Sequence, residues 1–90
     1  MELVRSVRVH DDYQLEIQFS TSEVRLFDAK PYLEKGVFQA LKDPAKFRHA
    51  YVAFDTVCWP GNLDIAPETL YDRSRPSTSS GNNDELSRTE

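Results

Sequence analysis

Tyr13, Leu15, Ile17 and Phe19 alternate strictly with Gln14, Glu16 and Gln18. That period of two predicts a strand over 13–19 with one buried face and one wet face, the signature of an antiparallel sheet. The same period predicts an earlier strand over 3–9, in which Val7 and Val9 point one way and Arg8 and His10 the other. It predicts a third over 23–28, with Val24 and Leu26 inward and Arg25 outward. His10-Asp11-Asp12 and Ser20-Thr21-Ser22 are polar breaks and read as the two turns between them. Three strands so linked make a meander whose apolar face needs a cover.

The cover is expected next. Lys30-Pro31 opens a segment in which Leu33, Val37, Phe38 and Leu41 have helical spacing, and Gly36 divides it into short pieces. Asp43-Pro44 is a helix start: the Asp43 carboxylate can cap free backbone N–H groups, and proline suits the first helical position. A brief helix through Phe47 follows. Residues 50–54 and 57–59 read as a second hairpin joined by Asp55-Thr56, a dipeptide poorly matched to a tight two-residue turn. Pro60-Gly61-Asn62 is read as the turn that ends pairing. Ala66-Pro67-Glu68 starts a last helical turn, docked by Leu70 and Tyr71. Phe19, Phe27, Phe38, Phe47, Phe54 and Trp59 are the large side chains available for a core.

From Ser74 the composition shifts to Ser, Thr, Gly, Asn, Pro and charges, with Leu86 the one large apolar residue. Such a segment has too little to bury to offset its ordering entropy. The expected organisation is therefore one domain over 1–73 and a disordered tail over 74–90. The expected fold class is α+β: a three-stranded antiparallel β-meander, short helices, a second β-hairpin and a C-terminal helical turn.

Charge and cysteine content narrow the function classes. The 90 residues carry 11 Lys or Arg against 15 Asp or Glu, a net charge of −4, which disfavours phosphate-driven nucleic-acid binding. A single cysteine cannot form an internal disulfide, which fits a reducing compartment. The opening Met-Glu-Leu-Val-Arg lacks the layout of a signal peptide, and no apolar run reaches membrane-spanning length. A cytoplasmic location is expected.

The order of these pieces carries a resemblance. Val24-Arg25-Leu26-Phe27-Asp28, Pro31, Leu33, Gly36-Val37-Phe38, Leu41, Asp43 and Phe47, followed by Trp59-Pro60, Asp64, Pro67 and Leu70-Tyr71, resembles the bacterial domain-of-unknown-function family 2442 over about 3–71. The resemblance implies a small α+β domain. It also implies company: similar proteins carry a following helix-turn-helix, or are found beside another small protein in arrangements suggestive of toxin–antitoxin pairs. This chain departs from the pattern at two turns, with Thr21-Ser22 in place of an Asp-Gly type and Gly61-Asn62 in place of Asn-Gly. Nothing after Arg73 reads as a helix-turn-helix.

Each candidate for chemistry has a plainer use. His10, Asp11 and Asp12 include metal-ligand types, but as neighbours in a loop they match no ligand spacing and read as a polar turn. His49 follows a short helix, where a positive charge is favoured. Cys58 lacks the nearby base that nucleophilic use requires. Asp28, Asp55 and Asp64 fall at strand ends and turns, where aspartate caps backbone groups. Arg5, Arg8 and Arg25 could gather on the open sheet face, where Glu16 and Glu23 would neutralise them. Trp59 with Tyr71 and Tyr32 could form a hot spot, but a domain this small needs the area of Trp59 buried. No catalytic, cofactor-binding or metal-binding residue is assigned, no cofactor is expected, and the chain is not expected to be an enzyme. The expectation is a protein-binding module with a small protein partner, possessing an antitoxin-like role in a two-protein system. The alternative is an accessory domain of a transcription regulator linked to nucleic acid, although direct nucleic-acid binding by this chain alone is disfavoured.

Overall fold

In the computed structural model, which describes residues 2–77, the meander is present: β1 (Val4–His10), β2 (Gln14–Phe19) and β3 (Val24–Asp28) pair antiparallel in sequence order. Val9 faces Leu15 and Val7 faces Ile17, but Val4 faces Phe19, because a bulge between Val4 and Ser6 inserts one residue. The bulge lets Val4, Val7 and Val9 all turn to one side despite their uneven spacing. The β1–β2 turn falls one residue later than expected, with Asp12 and Tyr13 both at positive φ.

The orientation of β3 is corrected. Leu15 pairs with Phe27 and Ile17 with Arg25, so Phe27 and Arg25 share the core face, while Val24 and Leu26 take the other. Phe27 is fully buried and Val24 exposed. Alternation of Val and Leu around one arginine suggested the opposite face. The arginine is instead held inward by Tyr71 and Ser74, at and just past the end of the last helix.

The covering layer consists of 3-10 turns over Lys30–Tyr32 and Gly36–Lys42, then α1 (Pro44–Phe47). Gly36 opens the second 3-10 segment at φ +44, a conformation that suits glycine. The Asp43 carboxylate accepts the Ala45 backbone N–H at 3.0 Å, the predicted cap. Leu33, Leu41 and Phe47 point into the core, whereas Val37 stands 69% exposed.

The second hairpin is larger than expected. β4 (Tyr51–Ala53), β5 (Thr56–Trp59) and β6 (Leu63–Ile65) make a three-stranded antiparallel sheet. Ala53 pairs with Thr56, so the joining turn is Phe54-Asp55 and not Asp55-Thr56. Pro60-Gly61-Asn62 does not end pairing: it turns the chain into β6, with Trp59 opposite Leu63. Gly61 at φ +95 and Asn62 at φ +65 supply the left-handed residues of that turn. The buried Thr56 hydroxyl donates to the Ile65 carbonyl and fastens β6 to the start of β5.

α2 (Pro67–Arg73) packs on β3 with Leu70 buried, and β7 (Arg75–Pro76) then pairs with β3 as a fourth strand. Arg75 and Pro76, placed above in the tail, thus pair with the sheet, and the Ser77 N–H donates to the Val24 carbonyl at 3.0 Å. The remainder of that assignment, 78–90, lies outside the described residues. β4 and β5 pack against β1, and between the two sheets lies one core built on Leu15, Ile17, Phe19, Phe27, Phe47, Val57, Trp59 and Leu70. The fold is a small α+β domain with two antiparallel sheets. No helix among the described residues is long and apolar enough to cross a membrane.

Candidate functional site

The residues with chemical potential are spread over the fold, and several are held by a local partner. His10 Nε2 lies 2.7 Å from Glu16 Oε1 on the neighbouring strand. The Asp12 carboxylate accepts from Lys30 Nζ at 2.8 Å, and the same ammonium lies 3.5 Å from Asp28 Oδ1. These groups edge a shallow depression of about 660 Å³ on the outer face of the four-stranded sheet. Its charges face one another, so the depression is close to neutral by construction. Among the described residues no group of three or more His, Cys, Asp or Glu is placed to hold a metal.

The three aspartates do not converge. Asp28 accepts the Lys30 backbone N–H at 3.0 Å, Asp55 sits in the β4–β5 turn at φ +60, and Asp64 lies exposed on β6. Cys58 is buried on β5, and its Sγ lies 3.5 Å from the Ala53 carbonyl oxygen. Burial, and secondarily the negative charge of Asp64 opposite, push its thiol up. A thiol so placed is a poor nucleophile.

The three arginines do not form one patch. Arg5 and Arg8 are exposed on β1, but Arg25 turns inward on the core face of β3. Its Nε donates to Ser74 Oγ at 2.7 Å and its Nη2 to the Ser74 carbonyl at 2.8 Å, and its guanidinium lies 4.4 Å from the Tyr71 ring centroid. The Tyr71 hydroxyl in turn donates to Glu23 Oε1 at 2.7 Å. That bond holds the Glu23 carboxyl below its ordinary range and raises the Tyr71 phenol. Glu23, Arg25, Tyr71 and Ser74 are one network that fastens α2 and the chain after it to β3.

The aromatic residues separate in the same way. Trp59 is buried and its indole N–H donates to the Phe47 carbonyl at 3.0 Å. Tyr71 packs edge-on to Phe19, and Tyr32 tilts over Phe27. Trp59, Tyr71 and Tyr32 serve three different parts of the core.

Two apolar surfaces remain. The first is the β4–β5 hairpin, where Tyr51 and Val52 are exposed and Phe54 is 92% exposed. Phe54 had been expected in the core. The pairing of Ala53 with Thr56 forces it into a two-residue turn at φ +53, so its side chain leaves the protein. The second is a groove of about 510 Å³ between the second 3-10 segment, α1 and the β5–β6 turn. Val37, Ala40, Leu41, Pro60 and Leu63 line it, together with Lys46 and His49, and Leu41 is the buried one of these. Sequence reasoning missed both surfaces. The signal for the hairpin lay in residue count, since a strand ending at Ala53 and one starting at Thr56 leave only Phe54 and Asp55 to turn.

The family model described as "Protein of unknown function (DUF2442)" matches residues 4–76. The matched range ends at Pro76, the last residue of β7. No curated protein and no solved structure matches the chain.

Proposed function

The chain belongs to the DUF2442 family, and we propose that it is a non-catalytic protein-binding module that meets its partner through the β4–β5 hairpin. The observation that carries this reading is Phe54. A bulky side chain at positive φ is strained by about 1–3 kcal/mol, and full exposure returns none of that through burial. Tyr51 and Val52 extend the same exposed apolar run along β4, an edge strand of its sheet. Exposed apolar side chains on an edge strand favour strand addition by a partner, with an aromatic anchor to seat it. The scattered, mutually neutralised polar residues favour binding over chemistry.

The partner expected from the family resemblance is a second small protein, and the role an antitoxin-like one within a cytoplasmic pair. Co-purification from the native host tests it. The expected result is a stoichiometric small protein that is retained by the unaltered chain and lost with Phe54→Asp. Recovery of DNA that dissociates steeply with added salt, and of no protein, overturns it in favour of a regulator linked to nucleic acid.

A further inference from the structure

The groove between the second 3-10 segment and the β5–β6 turn is a second surface, distant along β5 from the Phe54 turn. Its lining is largely apolar and includes an exposed valine, Val37. Its volume of about 510 Å³ is in the range of built ligand sites, roughly 300–1,000 Å³. Its two ionisable lining residues, Lys46 and His49, are both of the basic kind, in a chain whose net charge is −4.

Lys46 is distinct among the lysines. Lys30 is paired with Asp12 and Asp28, Lys42 with Glu34, and Lys35 lies over the Tyr32 ring. Lys46 has no carboxylate or ring partner among the described residues, and neither does His49. An acidic protein that pairs its other lysines and gives this one, beside an apolar groove, no acidic partner among the described residues offers complementarity to one kind of occupant. A nucleic-acid backbone is disfavoured, because a single lysine and a histidine in a largely apolar lining cannot follow a run of phosphates.

We propose that this groove docks a short acidic segment of a partner protein, in which one leucine-like or aromatic side chain is flanked by Asp or Glu. The apolar side chain seats on Leu41 between Val37 and Leu63, and the flanking carboxylates meet Lys46 and His49. The inference rests on the reading of the chain as a protein-binding module, but on a different face from the hairpin.

The test is selection of random phage-displayed short peptides against the full chain, with Val37→Asp and Lys46→Glu as counter-variants. Both positions are exposed, so both variants are expected to keep the parent's thermal midpoint. Enriched peptides should carry Leu, Ile, Phe or Trp beside Asp or Glu. Their affinity should fall by about tenfold or more with Lys46→Glu, a loss of one charge-assisted contact plus like-charge repulsion, and vanish with Val37→Asp. No enrichment, enrichment of basic peptides, or peptides indifferent to both variants overturns the proposal. Enrichment seen only with Leu86→Ser also overturns it, by showing that the chain's own Asp84-Glu85-Leu86 fills the groove. Phe54→Asp separates the two surfaces: it should leave these peptides bound, and a native partner that survives Phe54→Asp counts against the hairpin reading alone.

Discussion

The indole N–H of Trp59, on β5, donates to the backbone carbonyl of Phe47 at the end of α1, 3.0 Å away, and the two rings lie 5.7 Å apart. Phe47 also receives Tyr13 edge-on at 5.2 Å. A line of three aromatic residues thus ties the β1–β2 turn, α1 and the second sheet together. The Tyr13 hydroxyl anchors its outer end by donating to the Lys42 carbonyl. Trp59→Ala empties the centre of this line and should destabilise the domain by about 3–5 kcal/mol. Trp59→Phe keeps most of the volume and removes one of the two donors to the Phe47 carbonyl, which keeps the Ala50 N–H at 3.3 Å, and should cost about 1 kcal/mol. Urea midpoints of the two variants check the order. Equal midpoints for Trp59→Phe and the parent would show that the hydrogen bond adds nothing.

Phe54 and Asp55 both sit at positive φ, as the favoured two-residue hairpin turn requires. Asp55 tolerates that region; Phe54 does not. Phe54→Asn should therefore raise stability, by about 0.5–1 kcal/mol, because asparagine fits the left-handed turn and no buried contact is lost. The same substitution should abolish partner binding. A thermal midpoint that rises while the co-purified partner disappears is the expected pair of results. A fall in stability would mean that the aromatic side chain packs on its own domain.

How far the fold was legible depended on whether local pattern and tertiary partners agreed. Tyr13 to Phe19 alternates without interruption, and β2 lies where that pattern put it, with only Tyr13 drawn into the turn. Asp43-Pro44 and Ala66-Pro67 mark the two helices correctly, since capping and proline φ are local effects. β6 was missed because three residues are too few to show a period, and its formation depends on Asn62 entering the left-handed region. Arg25 was placed on the wrong face because its partners, Tyr71 and Ser74, are about fifty positions away in the chain. Val37 fits the helical spacing of Leu33 and Leu41, yet the tighter 3-10 winding turns it outward. The groove was illegible for the same reason: its walls come from three segments that only packing brings together.

The bond from the Tyr71 hydroxyl to Glu23 predicts a specific pH response. Glu23 has its carboxyl held below 4.5, first by this hydrogen bond and with lesser help from Thr21 and Arg25. Its contribution to stability is thus present above the ordinary carboxyl value and lost as pH falls through the lowered one. Tyr71 has its phenol raised above 10.0, chiefly by donating to Glu23. Its contribution is present below 10.0 and lost as pH rises through the raised value. Tyr71→Phe removes the donor, and should flatten both the acid and the alkaline limb of the stability profile relative to the parent. Denaturant midpoints from acid to alkaline pH measure this. Two parallel profiles would show that the bond is not formed in solution.

The chain after Arg73 is part of the domain on this account, and truncation tests it directly. β7 adds ladder pairs from Arg75 and Pro76 to β3, and the Ser77 N–H donates to the Val24 carbonyl at 3.0 Å. Ser74 supplies both oxygens that receive the Arg25 guanidinium, a side chain only 14% exposed. Ending the chain at Arg73 leaves that charge without its hydrogen-bond acceptors on Ser74, facing only the Tyr71 ring at 4.4 Å and Glu23 at 3.6 Å. The loss should be about 2–3 kcal/mol, since hydrogen bonds to a charged group are worth more than neutral ones. A chain ending after Ser77 keeps β7 and Ser74 and is the reference for that loss. Ser74→Ala in the full chain should fall between, at about 1 kcal/mol, because it removes the hydroxyl and leaves the carbonyl acceptor in place. Urea midpoints of the three proteins rank these outcomes. If the chain ending at Arg73 matches the one ending at Ser77, β7 is an ornament of the sheet and the domain closes at α2.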